Sequence, residues 1–482
     1  MNSVNKNLQT TNYKLQTIKG FSLVEVILST AIFALAVTAF VGVWAYAQEG
    51  TALGGRRNRA AFIAEEGFEA VRAMRDQSFS NITDGTHGIK IINNAWQFDG
   101  VSDVLDSVTR AITVSSADVR RKNITATVDW QQNIQRTGTM QLETRLTDWR
   151  RSFGNWATPS QQAVGDAVGG ADANGIALYK KGDTLYAVIV RNASANTELE
   201  VFNVTDLSSP LFVRGLELSA DAEDIVIAGD YAVIASVKDT QELQIVDLSQ
   251  VATSPLAVVG SFDAPGAANA RAVAAFGATI FLARNASSNP ELFTLSIANP
   301  AVPTQLGSAL EFSNDIRDIT LAQNNAYLYL ATANNSAEVV VVSVSNPSAL
   351  VQVGTYNASG DSNGTAVTAF STYGILGRAD GTYFIFSALN SSSPTLISGG
   401  ADLGAQITDA TIGVGDMYAF LVNNTESSPV HVINIAVPGT PVEIAVFETD
   451  DTVNGVAYDF DANRVFIAGV HNSAELVILK PN

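Results

Sequence analysis

Three aspartates recur at matching points of a repeated region, and they are the strongest candidates for chemistry in this sequence. Asp224, Asp318 and Asp409 each stand at the start of a predicted strand, and Arg271 and Arg317 stand close to the equivalent points of other repeats. Carboxylates and guanidiniums that meet at one place bind a cation or the hydroxyl groups of a sugar. The competing interpretation is structural, because an aspartate at such a point commonly accepts hydrogen bonds from backbone N–H groups of its own repeat.

Motifs for metal binding are scarce. The sequence has no cysteine, which excludes disulfides and thiolate metal sites. Oxygen ligands for calcium stand near Asp459 and Asp461 and near Asp361 and Asn363, but neither pair matches an EF-type loop. We therefore expect no resident metal or cofactor, with calcium as the weak exception.

Motifs for catalysis are equally scarce. The three histidines, His87, His431 and His471, are far apart in the sequence. His431 lies inside a predicted strand and His471 lies in a polar turn, so neither belongs to a recognisable serine–histidine–aspartate arrangement. We expect no catalytic residues.

The net charge of −19 is unevenly distributed along the chain. Residues 1–160 hold 14 acidic and 17 basic residues, whereas residues 161–482 hold 33 acidic and 11 basic residues. This asymmetry predicts a domain boundary near residue 155. It also argues against nucleic acid as a partner, because phosphate binding requires clustered lysine and arginine.

A single carboxylate, Glu25, stands at the start of an apolar segment. The 22 residues from Val26 to Ala47 carry no charge, and a helix of that length spans roughly 33 Å, enough to cross a bilayer. A secretory signal cut after Ala47 and a plain membrane anchor both fit the composition. Neither explains Glu25, because a charge in an apolar setting is costly unless it is paired.

The residues KGFSLVE at 19–25 resemble the processing site of type IV prepilins and pseudopilins. That family cuts a basic leader after a glycine, here Gly20, methylates the next residue, here Phe21, and keeps a glutamate at the fifth mature position, here Glu25. The resemblance implies a leader of residues 1–20, a prepilin peptidase as partner and an inner-membrane helix before assembly. It also implies that Glu25 pairs with the N-terminal amine of a neighbouring subunit in a filament at the cell surface.

A pilin-like α+β domain is expected over residues 21–151. Its long helix covers about 21–77, and in the second half of that helix Phe62, Ile63, Phe68 and Val71 fall at helical spacing. Alternating segments that predict antiparallel strands follow at 88–92, 110–116, 123–130 and 139–146. One long helix followed by a small sheet is similar to the globular domains of pilins.

Residues 158–482 repeat seven times, after a predicted linker at 152–157. The anchor of each repeat is a hydrophobic hexamer, preceded in most repeats by a strand pair and followed in most by a proline-led segment. The hexamers are LEVFNV (199–204), LQIVDL (243–248), LFTLSI (292–297), VVVVSV (339–344), YFIFSA (383–388), VHVINI (430–435) and LVILKP (476–481). Seven units with room for four short strands each predict an all-β seven-bladed propeller. The phrases LQIVDLS and VSVSNPSALVQVGTY resemble LVIVD-type surface repeats.

The last repeat stops after its third strand. The segment 158–170 looks like the missing fourth strand, because Thr158-Pro159 matches the proline-led starts at Ser254-Pro255 and Thr440-Pro441. We therefore predict that 158–170 pairs with the strand around Leu476–Leu479 and closes the ring, which removes an open sheet edge.

Together these patterns predict a structural or binding protein. We expect a pilin-like subunit in a minor or tip position, since a head of residues 158–482 is too bulky for a densely packed major subunit. The propeller would bind a surface ligand, a glycan or a protein, outside the cell. The alternative is a propeller hydrolase or lyase tethered through the pilin-like anchor.

Overall fold

A computed structural model describes residues 22–118, 121–133, 136–148, 154–166, 169–322, 325–369, 372–413, 417–449, 451–470 and 474–482. The chain divides into two compact units, Met1–Arg151 and Ser152–Asn482. The predicted processing site at Gly20 and Phe21 lies outside the described residues, as does His471.

The first unit contains one long helix, α1, from Leu23 to Gln77. Ser22 caps it in a reciprocal arrangement with Glu25: the Glu25 N–H donates to Ser22 Oγ at 3.2 Å, and the Ser22 N–H donates to the Glu25 carboxylate at 3.3 Å. From Leu23 to Gln48 the mean hydropathy is 2.4, so this stretch is long and apolar enough to cross a membrane. A signal sequence has the same properties, and length and composition alone do not separate the two.

The second half of α1 packs on a sheet. Its buried stripe includes Ala60, Ala64, Phe68 and Val71, which contact a cluster with Ile112 at its centre. The expectation that Phe62 belongs to this stripe is wrong, because its side chain is 70% exposed. Alanines, including Ala60 and Ala64, form the buried face of the helix at this point, and Phe62 lies on the exposed face.

The strands of the first unit follow a short 3₁₀ turn at Phe79–Asn81. They are β1 (Gly85–His87), β2 (Ile89–Ile92), β3 (Ala95–Phe98), β4 (Asp103–Leu105), β5 (Val108–Asp118), β6 (Arg121–Asn133) and β7 (Arg136–Thr147). The main sheet has the order β1-β5-β6-β7, with β4 also on β5, and all of its pairs are antiparallel. The strands predicted at 110–116, 123–130 and 139–146 are confirmed, while 88–92 forms a separate hairpin of β2 and β3.

A buried arginine ties α1 to this sheet. Arg110 on β5 is 1% exposed, and it donates to the Ile63 carbonyl at 2.9 Å, to Asp103 at 2.7 Å and to Glu66 at 3.2 Å. Its positive charge is therefore compensated from both the helix and the sheet, as a buried charge requires.

Within its described residues, the second unit consists of seven four-stranded antiparallel sheets, numbered here 1 to 7 in chain order. Its first strand is β8 (Ser160–Gly165). Sheet 1 contains β9 (Ala173–Lys181), β10 (Thr184–Arg191), β11 (Leu199–Asn203) and β12 (Leu211–Leu216); sheet 2 contains β13 (Ala222–Ala228), β14 (Tyr231–Ser236), β15 (Leu243–Asp247) and β16 (Val258–Phe262); sheet 3 contains β17 (Ala270–Phe276), β18 (Thr279–Arg284), β19 (Leu292–Ser296) and β20 (Thr304–Gln305). Sheet 4 contains β21 (Ile316–Leu321), β22 (Tyr327–Thr332), β23 (Val339–Ser343) and β24 (Val351–Tyr356); sheet 5 contains β25 (Gly364–Ala369), β26 (Tyr373–Arg378), β27 (Thr382–Ser387) and β28 (Thr395–Asp402). Sheet 6 contains β29 (Ile407–Ile412), β30 (Tyr418–Asn423), β31 (Val430–Asn434) and β32 (Val442–Phe447); sheet 7 contains β33 (Val453–Asp459), β34 (Arg464–Gly469), β35 (Leu476–Lys480) and β8.

The seven sheets stand in a closed circle. The first strand of each sheet contacts the first strand of the next, and β33 of sheet 7 contacts β9 of sheet 1. The hydrophobic hexamers form the third strands, and their side chains fill the space between neighbouring sheets. Between sheets 2 and 3, for example, Leu243 and Ile245 pack with Phe293 and Leu295.

Sheet 7 is completed by a strand from the opposite end of the unit, and the predicted closure is confirmed. β8 pairs antiparallel with β35, from Gly165 opposite Leu476 to Ser160 opposite Lys480. Part of the predicted linker at 152–157 belongs to the same unit. Trp156 is fully buried, and its indole N–H donates to the Asn463 side chain at 3.3 Å.

Candidate functional site

A polar cavity lies where the seven first strands meet. Each first strand carries a bulge near its start, because the register shifts by one residue there. The extra residues at the seven bulges all line the cavity: Asn174, Glu223, Arg271, Arg317, Thr365, Thr408 and Asn454. The cavity, which is open to solvent, encloses about 1020 Å³, and we call it the channel mouth.

Most side chains of the channel mouth join one sheet to the next. Asn174 of sheet 1 donates to the Ala222 carbonyl of sheet 2 at 3.0 Å, and Asn454 of sheet 7 donates to the Ala173 carbonyl of sheet 1 at 3.0 Å. Thr408 of sheet 6 donates to a carbonyl of sheet 7 at 2.7 Å. These hydrogen bonds tie the amides and hydroxyls of the rim from one sheet to the next.

The two predicted arginines lie in the channel mouth, and each is paired with an acid. Arg271 donates to Glu223 of the preceding sheet at 2.7 Å and to Asn285 at 3.1 Å. Arg317 donates to Asp315 at 2.7 Å, and its side chain is 37% exposed. Both pairs are partly exposed, which leaves the guanidiniums accessible to a ligand that enters the mouth.

The three predicted aspartates each lie directly after the bulge residue of their own first strand, where they join that strand to a neighbouring sheet. Each carboxylate accepts one N–H from the next residue of its own strand and a second N–H from the following sheet. The second donors are Val273 for Asp224, Val367 for Asp318 and Val456 for Asp409, at 2.8, 2.6 and 2.8 Å. One carboxylate oxygen is therefore bound within its own strand, and the other joins that strand to the following sheet.

Burial raises the pKa of each of these carboxyls. The pKa of Asp224 rises to about 7 and that of Asp318 to about 6, and the pKa of Asp409 is also well above its usual value. Loss of hydration is the largest cause in all three, and the accepted backbone hydrogen bonds oppose it without overcoming it.

The aspartates occupy every second sheet. The equivalent positions of sheets 2, 4 and 6 are Asp224, Asp318 and Asp409, whereas the other sheets have a residue without a polar side chain. Those residues are Gly175, Ala272, Ala366 and Gly455. Sequence inspection found the aspartates but missed this alternation, which becomes visible once each bulge is aligned.

Of the other residues singled out from the sequence, Asn363 lines the channel mouth, and the following four lie elsewhere. His431 is buried between Asn423 and Glu443, and His87 stacks on Phe98 in the first unit. Asp459 accepts the N–H of Ala462 in a turn, and Asp461 pairs with Lys180. Within the described ranges, no group of three histidine or acidic side chains is placed to hold a metal ion.

The lining of the channel mouth is polar. It offers amide, hydroxyl and guanidinium groups, with Asn363, Ala379 and Gln406 completing it. No histidine and no aromatic ring belongs to that lining among the described residues. The arrangement supplies orientation and charge but no nucleophile with an adjacent base.

Comparison with known proteins bears on the fold alone. No protein-family model and no curated protein matches the chain. A chain in a crystal structure of the mitotic checkpoint complex is 12% identical, with a TM-score of 0.51, and the match covers 66% of this chain and 91% of that one. A computationally designed protein, Ika8, is 11% identical, with a TM-score of 0.47, and the match covers 67% and 100% of the two chains. The checkpoint chain is propeller-like, and so is the circle of sheets in the second unit.

Proposed function

We propose that this chain is a pilin-like filament subunit, in a minor or tip position, that displays a seven-bladed β-propeller outside the cell for adhesion or ligand binding. The leader of residues 1–20 is removed by a prepilin peptidase. The helix anchors the protein in the inner membrane before assembly and contacts other subunits afterwards. The second unit then presents its channel mouth to a glycan or a protein.

The observation that carries the proposal is the setting of Glu25. It is the last residue of the KGFSLVE motif and lies in the first turn of a helix that is apolar and exposed to Gln48 and continues to Gln77. A secretory signal would be cut near Ala47, in the middle of that continuous helix. A cut after Gly20 instead leaves the helix whole, which favours the pilin interpretation.

Mass spectrometry of the N-terminus tests the processing step. Protein purified from its own host should begin at a methylated Phe21. A mature chain that begins at Gln48 would restore the secretory-signal interpretation and remove the basis for filament assembly.

Two substitutions at the helix start separate intersubunit pairing from local capping. Glu25→Ala should be cleaved and membrane-bound but poorly incorporated into filaments. Ser22→Ala removes the capping partner of Glu25 and keeps the carboxylate, so it should assemble normally. Equal assembly defects in both variants would reduce Glu25 to a helix cap and contradict the pairing.

The composition of the channel mouth favours binding over the tethered-enzyme alternative. The rim is made of amides and hydroxyls with two acid-paired arginines, and no catalytic pair belongs to the described lining. An array of glycans and matrix proteins, probed with the full chain in detergent, should give a ligand whose binding Arg317→Ala weakens. Turnover of a bound glycan would favour the hydrolase or lyase instead.

A further inference from the structure

A comparison of the last residue of the second strand in each sheet indicates a second site, which lies in sheet 7. Six of these residues carry a donor side chain: Arg191, Ser236, Arg284, Thr332, Arg378 and Asn423. The seventh is Gly469. The chain therefore omits, in sheet 7 alone of the seven described sheets, a side chain that every other sheet supplies.

Two of the three arginines show what occupies this position by donating to two backbone carbonyls. Arg284 is fully buried and donates to the carbonyls of Pro265 and Pro290 at 3.0 and 2.9 Å. Arg191 does the same with the carbonyls of Gly169 and Thr197. One acceptor precedes the sheet and the other lies in the hairpin after the arginine, so the guanidinium locks the loop that enters the sheet.

The backbone of Gly469 makes the same hydrogen bonds as the backbone of these arginines. Its N–H donates to Glu475, as that of Arg191 donates to Glu198, and the next N–H donates to Thr452 in the loop that enters the sheet. By this correspondence, the acceptor carbonyls of sheet 7 are those of Ala474 and of Glu448 or Thr449. Sheet 7 therefore keeps the backbone hydrogen bonds of this position but has no side chain there.

A cavity lies where the side chain of an arginine would stand in sheet 7. It encloses about 780 Å³, part of it open to solvent, and its lining includes Gly469, Ala474, Glu448 and Thr449. A Cβ built on Gly469 would lie 3.6 Å from its nearest neighbour, the Thr452 carbonyl, so a side chain has room there. Among the described residues, no side chain closes this space.

The charge around this cavity suits a cation. Arg191 pairs with Glu200 of its own sheet at 2.6 Å and faces the buried Glu475 of sheet 7 at 4.0 Å. Arg284 faces the buried Glu242 of the preceding sheet at 3.8 Å. The residue equivalent to Glu242 in sheet 6 is Pro429, directly before β31. Glu448 and Asp451 line the cavity instead, so the negative charge comes from the loop that enters sheet 7.

We propose that the sheet 7 cavity binds a guanidinium group supplied from outside, which takes the position that Arg191, Arg284 and Arg378 occupy in their own sheets. A planar guanidinium donates to two acceptors at once, whereas an ammonium of similar charge reaches them less well. This site is separate from the channel mouth and does not depend on filament assembly.

Calorimetric titration of the full chain in detergent with methylguanidinium tests the site. One equivalent should bind, at least about tenfold more tightly than methylammonium or urea, which lack either the planar fork or the charge. Gly469→Arg should abolish binding, because its own side chain fills the cavity. Absence of saturable binding to the wild-type chain, or unchanged binding to Gly469→Arg, overturns the proposal.

A gain-of-site variant provides the matched control. Arg284→Gly should open a second cavity and raise the stoichiometry from one to two, and Arg378→Gly replaces it if that variant does not fold. If a folded variant still binds one methylguanidinium per chain, Gly469 and the substituted arginine do not occupy corresponding positions. Competition by acetyl-Gly-Arg-Gly-amide would assign the guanidinium to a peptide side chain, whereas binding of methylguanidinium alone would assign it to a small solute; both results support the site.

Discussion

Sheets 1, 3 and 5 differ from sheets 2, 4 and 6 in where they place their charge. The odd sheets end their second strand with arginine and have glycine or alanine directly after the bulge of their first strand. The even sheets have aspartate directly after that bulge and a small polar residue at the end of their second strand. Arg191, Arg284 and Arg378 are 93 and 94 residues apart, and Asp224, Asp318 and Asp409 are 94 and 91 residues apart. The unit that repeats is thus a pair of sheets.

This pairing makes the boundaries between sheets unequal. Between sheets 2 and 3, Asp224 accepts an N–H from sheet 3, and Arg284 of sheet 3 faces Glu242 of sheet 2. The aspartate clamp recurs between sheets 4 and 5 through Asp318. Between sheets 1 and 2, the residue after the bulge is Gly175, and the neutral Asn174 of the bulge makes the contact instead. Sheet 7 falls outside the alternation and relies on β8 for its completion.

The largest effect is expected from removing the strand that closes sheet 7. Deletion of 158–170 leaves β35 without its outer partner and exposes the buried Leu476 and Ile478. The second unit should lose more than about 4 kcal/mol of stability, measured by thermal unfolding of the full chain. Replacing Thr304-Gln305, the short outer strand of sheet 3, by two glycines is the matched control and should cost far less. Equal melting of the two variants would contradict the closure argument.

A smaller effect is expected at the strand ends, where the two kinds of sheet can be compared directly. Arg284→Met leaves Glu242 buried without its facing cation and should cost about 3–5 kcal/mol in denaturant unfolding. Ser236→Ala, at the equivalent position of an even sheet, removes two neutral hydrogen bonds of the hydroxyl, to the Asp221 carbonyl and from the Lys238 N–H, and should cost about 1–2 kcal/mol. Similar losses in the two variants would show that the arginine adds nothing beyond its hydrogen bonds.

The even sheets should also give the second unit an unusual dependence on pH. The folded pKa of Asp224 is about 7 and its ordinary value is 3.8, so the folded state holds this proton more tightly than the unfolded state. Stability from this carboxyl therefore falls as pH rises from about 4 to about 7 and is constant above that.

Asp224→Asn tests this dependence. It should remove roughly 2 kcal/mol of the stability change between pH 5 and pH 6.5, since each pH unit corresponds to about 1.4 kcal/mol. Denaturant unfolding at several pH values measures it, with Ser236→Ala as a variant that should keep the wild-type slope. A slope unchanged by Asp224→Asn would show that the carboxyl stays ionised.

The smallest effect is expected at the rim of the channel mouth. Glu223 and Arg271 form a partly exposed pair at 2.7 Å, so Glu223→Gln should cost about 0.2–1 kcal/mol, and less at high salt. Unfolding at low and high ionic strength measures the difference. A loss that salt does not reduce would indicate that packing, and not charge, joins sheets 2 and 3 at this point.

The repeat and its closure were predictable from the sequence because they rest on local periodicity. Each hydrophobic hexamer became a third strand, and the missing outer strand of sheet 7 was found by matching Thr158-Pro159 to other repeats. The helix was predictable for the same reason. Phe62 was misplaced because alanines, which carry little hydropathic signal, form much of the buried stripe of α1.

The clamps and the sheet 7 cavity were not predicted, for two physical reasons. The second donor to Asp224 is Val273, which lies 49 residues away in the next sheet, so no local pattern records the contact. The cavity at Gly469 is marked by a missing side chain, which is recognised only when the strand ends are superposed. The buried Trp156 was assigned to a linker because a single aromatic residue before a proline-led segment has no period.

The hydrogen bonds between Asn155 and Asn482 have a consequence for engineering. The backbone N–H of Asn155 donates to the Asn482 carbonyl at 2.6 Å, and the reverse bond is 3.3 Å. The path into the circle of sheets and the path out of it thus meet at one point. A short bridge across this junction, with new termini cut at the Gly182 turn, would give a circularly permuted domain, and the same junction would let the domain be grafted into a surface loop of an unrelated host protein.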